Sequence, residues 1–189
     1  MKLQAIKMRC LASGRFVIVN GPDRKQWLYD GANYYAIIGI ELRESNIPDV
    51  FDLTDKQMDM IFTDTINRRD SFFNGVAHRV GEELDEVRTI WAYDQKIVAL
   101  RTADGLLYVP EDAILAACKR DDYASFTLVR DPEGKPMVAV SRGMFCDALL
   151  SPVTDDVADD ISEKLRSVGS LPIIRTTIRE EDEDEVAER

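Results

Sequence analysis

The chain has 189 residues, of which 45% are hydrophobic and 31% charged, the balance of an ordinary globular protein long enough for one sizeable core or two small ones. Its formal net charge of −11 is uneven: residues 180–189, EEDEDEVAER, carry −6, and the rest of the chain only −5. No run approaches the roughly 18 apolar residues of a membrane span, and no broad basic stripe suits direct binding to DNA or RNA.

The first thirty residues run against the overall charge, with Lys2, Lys7, Arg9, Arg15, Arg24 and Lys25 opposing Asp23 and Asp30. Lys7 and Arg9 interrupt the early apolar stretch before it reaches the length of a signal-peptide core. Cys10, Cys118 and Cys146 are odd in number and far apart, with no C-x-x-C and no zinc-type spacing. Reduced, buried thiols and a cytoplasmic location are the expectation.

In chain order, residues 2–10 alternate weakly and predict a strand, and RFVIVN over 15–20 predicts a stronger one, with Ser13-Gly14 as the turn between them. Asn20-Gly21-Pro22-Asp23 and Asp30-Gly31 are turn signals around the runs 26–29 and 33–40, which makes a meander of about four strands. Its aromatics, Phe16, Trp27, Tyr29, Tyr34 and Tyr35, suit cross-strand packing. Thr54 and Gln57 form a capping box, Leu53 and Met58 fit a staple, and Met58, Ile61, Phe62, Thr65 and Ile66 predict a helical stripe facing the sheet.

Arg68-Arg69 beside Phe72-Phe73 is the one place where basic and aromatic residues adjoin, as on a single-strand-binding platform, but two arginines make too narrow a field. The preferred reading is a loop whose phenylalanines plug the core. Glu82, Glu83, Asp85 and Glu86 read as a solvated turn or short helix. Strands are predicted at 87–93 and 96–101 around Asp94-Gln95, and the second leads into the clearest stretch of the chain. In Ile97–Cys118, Asp104-Gly105 supplies a hairpin turn, Leu106–Val109 a strand, and Pro110 with Glu111 and Asp112 the start of a helix.

Strands at 125–130 and 135–141 flank Asp131-Pro132-Glu133-Gly134, which has the residue preferences of a type I turn. GMFCDALL over 143–150 reads as a short helix. Thr154 caps the last helix, whose apolar stripe is Val157, Ile161, Leu165 and Val168; LPIIRTTIR over 171–179 alternates as a late strand, and the acidic tail is expected to be disordered.

These elements predict an α+β fold, a largely antiparallel sheet built from hairpin-plus-helix units whose helices share one side. The boundaries expected are 1–75 for an N-terminal meander plus helix, 76–179 for further hairpin and helix units, and 180–189 for the tail, with 1–179 as a single domain the alternative.

No chemical constellation stands out. His78 is the only histidine, which removes metal sites built on several histidines, and no nucleophile elbow or phosphate loop is present. Asp155-Asp156 with Asp159-Asp160 resembles a D-D-x-x-D magnesium motif in spacing, yet no second aspartate-rich helix completes a two-metal site. No catalytic residue, metal or cofactor is assigned.

The function expected is a non-catalytic protein-binding regulator or adaptor. Asp155, Asp156, Asp159, Asp160 and Glu163 are its candidate partner-binding residues. An acidic inhibitor or mimic that occupies the basic surface of a nucleic-acid-binding protein is one alternative. A hydrolase using Asp/Glu carboxylates is the other, because two acids that meet only in the fold leave no sequence signature.

Overall fold

In the computed structural model, which describes residues 3–74, 81–118 and 123–169, the chain opens on a helix, α1 (Leu3–Ser13), where alternation predicts a strand. The helical stripe was disguised because a lysine occupies it. Ile6 and Cys10 are fully buried one turn apart, and Lys7 beside them is only 8% exposed, its ammonium donating to the Asp52 carbonyl at 2.5 Å. Leu, Ala, Met, Lys and Arg also favour a helix intrinsically.

A meander follows, of three strands rather than four: β1 (Arg15–Asn20), β2 (Gln26–Tyr29) and β3 (Tyr34–Ile37), each antiparallel to the next. Two short helices, α2 (Ile47–Phe51) and α3 (Asp55–Met58), lead to β4 (Phe62–Asn67). The capping box at Thr54 forms: Thr54 Oγ1 accepts from Gln57 N at 3.3 Å, and Gln57 Oε1 from Thr54 N at 3.0 Å. The predicted helix nevertheless stops after one turn. Phe62, Thr63, Thr65 and Ile66 are aromatic or β-branched, and the segment runs parallel to β1, with Phe62 N donating to Gly14 O and Arg68 N to Asn20 O, both at 2.8 Å. Asp64 turns its carboxylate onto Thr65 N (2.8 Å).

β5 (Glu82–Ala92) begins inside the acidic stretch expected to be a turn, because Leu84 points into the core while Glu83, Asp85 and Glu86 stay exposed. β5 pairs with β6 (Gln95–Thr102) and β6 with β7 (Gly105–Pro110), both antiparallel. Tyr93 and Asp94 occupy the β5–β6 turn at φ 51° and 56°, a type I′ geometry one residue earlier than the sequence suggests. At the β6–β7 turn only Gly105 of the expected pair has positive φ, 150°.

α4 (Glu111–Ala117) starts directly after Pro110 as expected. β8 (Ser125–Arg130) and β9 (Pro136–Arg142) enclose the predicted type I turn, closed by Gly134 N to Asp131 O at 2.9 Å. GMFCDALL is not helical. Its residues form β10 (Phe145–Leu150), and the register shift between Cys146 and Ala148 leaves Asp147 as a bulge gripped by Arg142 through Nε and, at 3.2 Å, Nη2. A short apolar run of this kind reads alike as buried helix or central strand. α5 (Asp155–Gly169) closes the described chain.

Among the described residues, ten strands form one sheet in the order β4-β1-β2-β3-β10-β9-β8-β5-β6-β7, and only β1·β4 is parallel. The seam between residues 1–75 and 76–179 is the pairing of β3 with β10, Tyr35 opposite Ala148 and Tyr34 opposite Leu149. One face of the sheet packs a core that draws on both segments, from Ile6, Phe16, Leu28 and Tyr35 to Val98, Val109, Val138 and Leu150, with α1, α2 and α4 upon it. Contrary to the shared side expected of the helices, α5 covers the opposite face of β5–β7, where Ile161, flanked by Val157 and Leu165, meets Ile97, Ala99 and Tyr108. The remaining part of that second face buries Trp27, Val17, Val19 and Leu149 under Phe73, so the phenylalanine does plug a core.

All three cysteines are free and buried, as expected. Burial pushes the Cys146 thiol up to about 12 and raises that of Cys10, with Asp30 adding to the latter. Among the described residues no helix is long and apolar enough to cross a membrane. His78, the strand expected at 171–179 and the tail at 180–189 lie outside the described residues.

Candidate functional site

The five candidate acids sit on α5. At about 100° per residue, Asp155, Asp156, Asp159, Asp160 and Glu163 fall on the arc opposite the buried Ile161. Four of them are exposed, and Asp160, at the edge of the arc, is half-exposed. The Asp156 carboxyl lies below the ordinary carboxylate range because it is hydrogen-bonded to the Thr154 side chain and to Val157 N. Asp160 is also lowered, first by Lys164, whose Nζ donates at 2.6 Å, and then by the Tyr93 hydroxyl.

That hydroxyl ties the helix to the tip of the β5–β6 hairpin, since the Lys164 ammonium also lies 5.2 Å from the centre of the Tyr93 ring. Trp91, two residues back on β5, faces the other side of the hairpin, opposite Lys96, which pairs with Glu111 of α4 at 3.8 Å. Trp91 is 69% exposed and Tyr93 53%. Neither was singled out from the sequence, where both read as strand residues. The faint signal available was a W-x-Y repeat running straight into a turn.

The clasp has a definite pH dependence. A carboxyl whose folded pKa is depressed stabilises the fold above its unfolded value and loses that effect as pH falls through the folded one. The Tyr93–Asp160–Lys164 contact is therefore expected to hold at neutral pH and open only in acid, below about pH 4. Following the Tyr93 ring signals by NMR from neutral to acid pH tests this; release near neutrality would contradict it.

A second polar cluster borders an open cleft of about 1030 Å³ between α1, α4 and the β2–β3 turn, with apolar walls from Ala5, Met8, Ala12 and Leu115. Here Arg9 bridges two carboxylates, Asp30 at 3.0 Å from Nε and Asp112 at 2.7 Å from Nη1. Asp30 is 3% exposed and fully engaged, accepting from Ala32 N (2.9 Å), Asn33 N (2.7 Å), Asn33 Nδ2 (3.1 Å) and Tyr35 Oη (3.3 Å) as well. Asn33 Oδ1 in turn accepts from Ser151 N at 3.0 Å, which fastens the end of β10 to the turn. Two carboxylates do converge in this cleft, but on a guanidinium. With its lone pairs committed to these donors, Asp30 organises the turn. Among the described residues, no group of three His, Cys, Asp or Glu side chains could hold a metal ion.

Compared with family models, curated proteins and solved structures, the chain matches none of them.

Proposed function

We propose that the protein is a non-catalytic, protein-binding regulator whose partner straddles the end of the β5–β6 hairpin, meeting Trp91 on one side of it and the acidic arc of α5 on the other. The observation that carries this is Trp91, 69% exposed on a hairpin whose tip is fixed by a type I′ turn and by the Tyr93–Asp160 contact. A large aromatic held in water on a well-anchored element is what an interface anchor requires, since little ordering cost remains to be met on binding. The buried thiols fit the reducing cytoplasm as its location.

The charge around the hairpin selects the partner class. Asp155, Asp156, Asp159 and Glu163 present an exposed anionic face on α5, so a basic protein surface is the complement. If that basic surface belongs to a nucleic-acid-binding protein, the chain acts as its inhibitor by occupying it.

The test is capture from a native lysate at low salt with the wild-type chain, with Trp91→Ala, and with the five α5 acids changed to Asn or Gln. A basic protein is expected, released by moderate salt, with affinity reduced about tenfold to a hundredfold by Trp91→Ala. A partner held equally by all three forms would place the contact elsewhere and overturn the reading.

A further inference from the structure

β4 is an end strand of the sheet, and its register with β1 decides which main-chain groups it offers outward. Phe62 N donates to Gly14 O and Arg68 N to Asn20 O, both at 2.8 Å, so the even-numbered residues turn their N–H and C=O toward β1. Those of Thr63, Thr65 and Asn67 face away from the sheet. None of these groups has a main-chain partner among the described residues. The strand at the other end, β7, is engaged, since the Tyr108 carbonyl accepts from Val153 N at 2.9 Å.

The side chains along this edge make an apolar–acidic–apolar row. Phe62, Asp64 and Ile66 lie on the sheet face of Val17 and Val19; Phe62 is 58% exposed and Ile66 39%, with Asp64 half-buried between them. Asp64 Oδ1 accepts from Thr65 N at 2.8 Å, a local bond that caps the middle outward donor of the strand. On the other face Thr65 Oγ1 donates to a second acid, Glu44, at 2.8 Å. Of the charges in the adjoining segments, Asp59 precedes the strand, Arg68, Arg69 and Asp70 follow it, and Arg15 stands beside Phe62 on β1. Asp64 is the one charged residue of β4 itself.

We propose that β4 is the docking edge for an extended segment of a partner protein, added antiparallel, with a lysine or arginine opposite Asp64 and apolar residues opposite Phe62 and Ile66. Binding exchanges partners. Asp64 leaves Thr65 N to a carbonyl of the incoming strand and takes that strand's cation, so no polar group is left stranded. The position opposite Asp64 is a non-hydrogen-bonded pair, the closer of the two antiparallel spacings, where unlike charges attract and like charges repel. A second copy is the wrong occupant for the same reason. The register that matches Phe62 with Ile66 of a second copy sets Asp64 on Asp64, and the registers on either side set the carboxylate against Ile66 or Phe62. The aspartate that guards the edge against self-pairing is thus also the group that selects the partner. β4 and the β5–β6 hairpin stand far apart in the strand order, so this edge is independent of the surface around Trp91.

The test titrates the full chain to millimolar concentrations of a blocked heptapeptide, Thr-Val-Thr-Lys-Thr-Val-Thr, and of the same peptide with glutamate in place of lysine, followed by NMR and amide exchange. The lysine peptide is expected to shift the amide signals of Thr63, Thr65 and Asn67 and to slow their exchange, and the glutamate peptide to bind about tenfold more weakly. Asp64→Lys is expected to reverse that order and Asp64→Asn to abolish the preference. The comparison of the two peptides on the wild-type chain stands whether or not the variants fold. Equal binding of the two peptides, no response at Thr65, shifts centred on Trp91, or a wild-type chain that already dimerises through β4 would each overturn the proposal.

Discussion

Replacing Asp30 with alanine is expected to destabilise the protein by about 3–5 kcal/mol, the usual cost of breaking a buried ion pair by removing one partner. Asp30 is 3% exposed and receives hydrogen bonds from two backbone amides, the Asn33 amide, the Tyr35 hydroxyl and Arg9. Its removal strands the Tyr35 hydroxyl and the Asn33 amide in the core and loosens the turn that holds Ser151. Arg9→Leu should cost less, because Arg9 is 20% exposed and Asp30 keeps its other donors. Denaturant unfolding of the two single variants and the double variant measures the coupling, expected at about 1–3 kcal/mol. A loss below about 1 kcal/mol for Asp30→Ala would show that the network is not a stabilising hub.

Trp27→Ala is expected to cost a similar amount, about 3–5 kcal/mol, the range for deleting a large buried aromatic. The indole is fully buried, meets Phe73 edge to face at 6.3 Å between ring centres, and donates from Nε1 to the Phe73 carbonyl at 3.0 Å. Trp27→Phe keeps most of the volume but removes this donor, and should cost about 1–2 kcal/mol. Because Trp27 pins the 71–73 turn to the sheet, Trp27→Ala should also raise amide exchange at Phe73 and Asn74 beyond the global effect. Unfolding followed by circular dichroism, with exchange measured on the same samples, checks both. Equal losses for the two substitutions would mean that the hydrogen bond, and not the packing, carries the contact.

Local chemistry was legible in the sequence, and neighbours across the sheet were not. The Thr54–Gln57 box and the Asp131–Gly134 turn formed as read because each closes within four residues. Length and type failed wherever a distant partner decided. Lys7 reaches Asp52 and so joins the buried side of α1, and β4 is drawn out beside β1. The acids around Leu84 are held extended by β6 and β8, and β10 is apolar on both sides because both of its faces are covered. The α5 acids were readable as one face of an amphipathic helix, whereas Tyr93 beside them was not, since nothing in its vicinity announces a tyrosine at positive φ. The Arg9 bridge joins carboxylates from the β2–β3 turn and from α4, and leaves no local pattern at all.

The seam between β3 and β10 sets the order in which the protein can be built on the ribosome. Ser151 bonds a side chain 118 positions earlier, and Tyr34 and Tyr35 wait almost as long for their strand partners. Until residue 150 has emerged, the meander β1–β3 carries an unpaired strand edge next to a half-assembled core, a template on which a second nascent chain can pair. Closure across so long a loop is slow, so the interval of exposure is set by translation as much as by folding. The protein's vulnerable moment thus falls during synthesis, and the late-arriving β10, by supplying the missing edge, ends it.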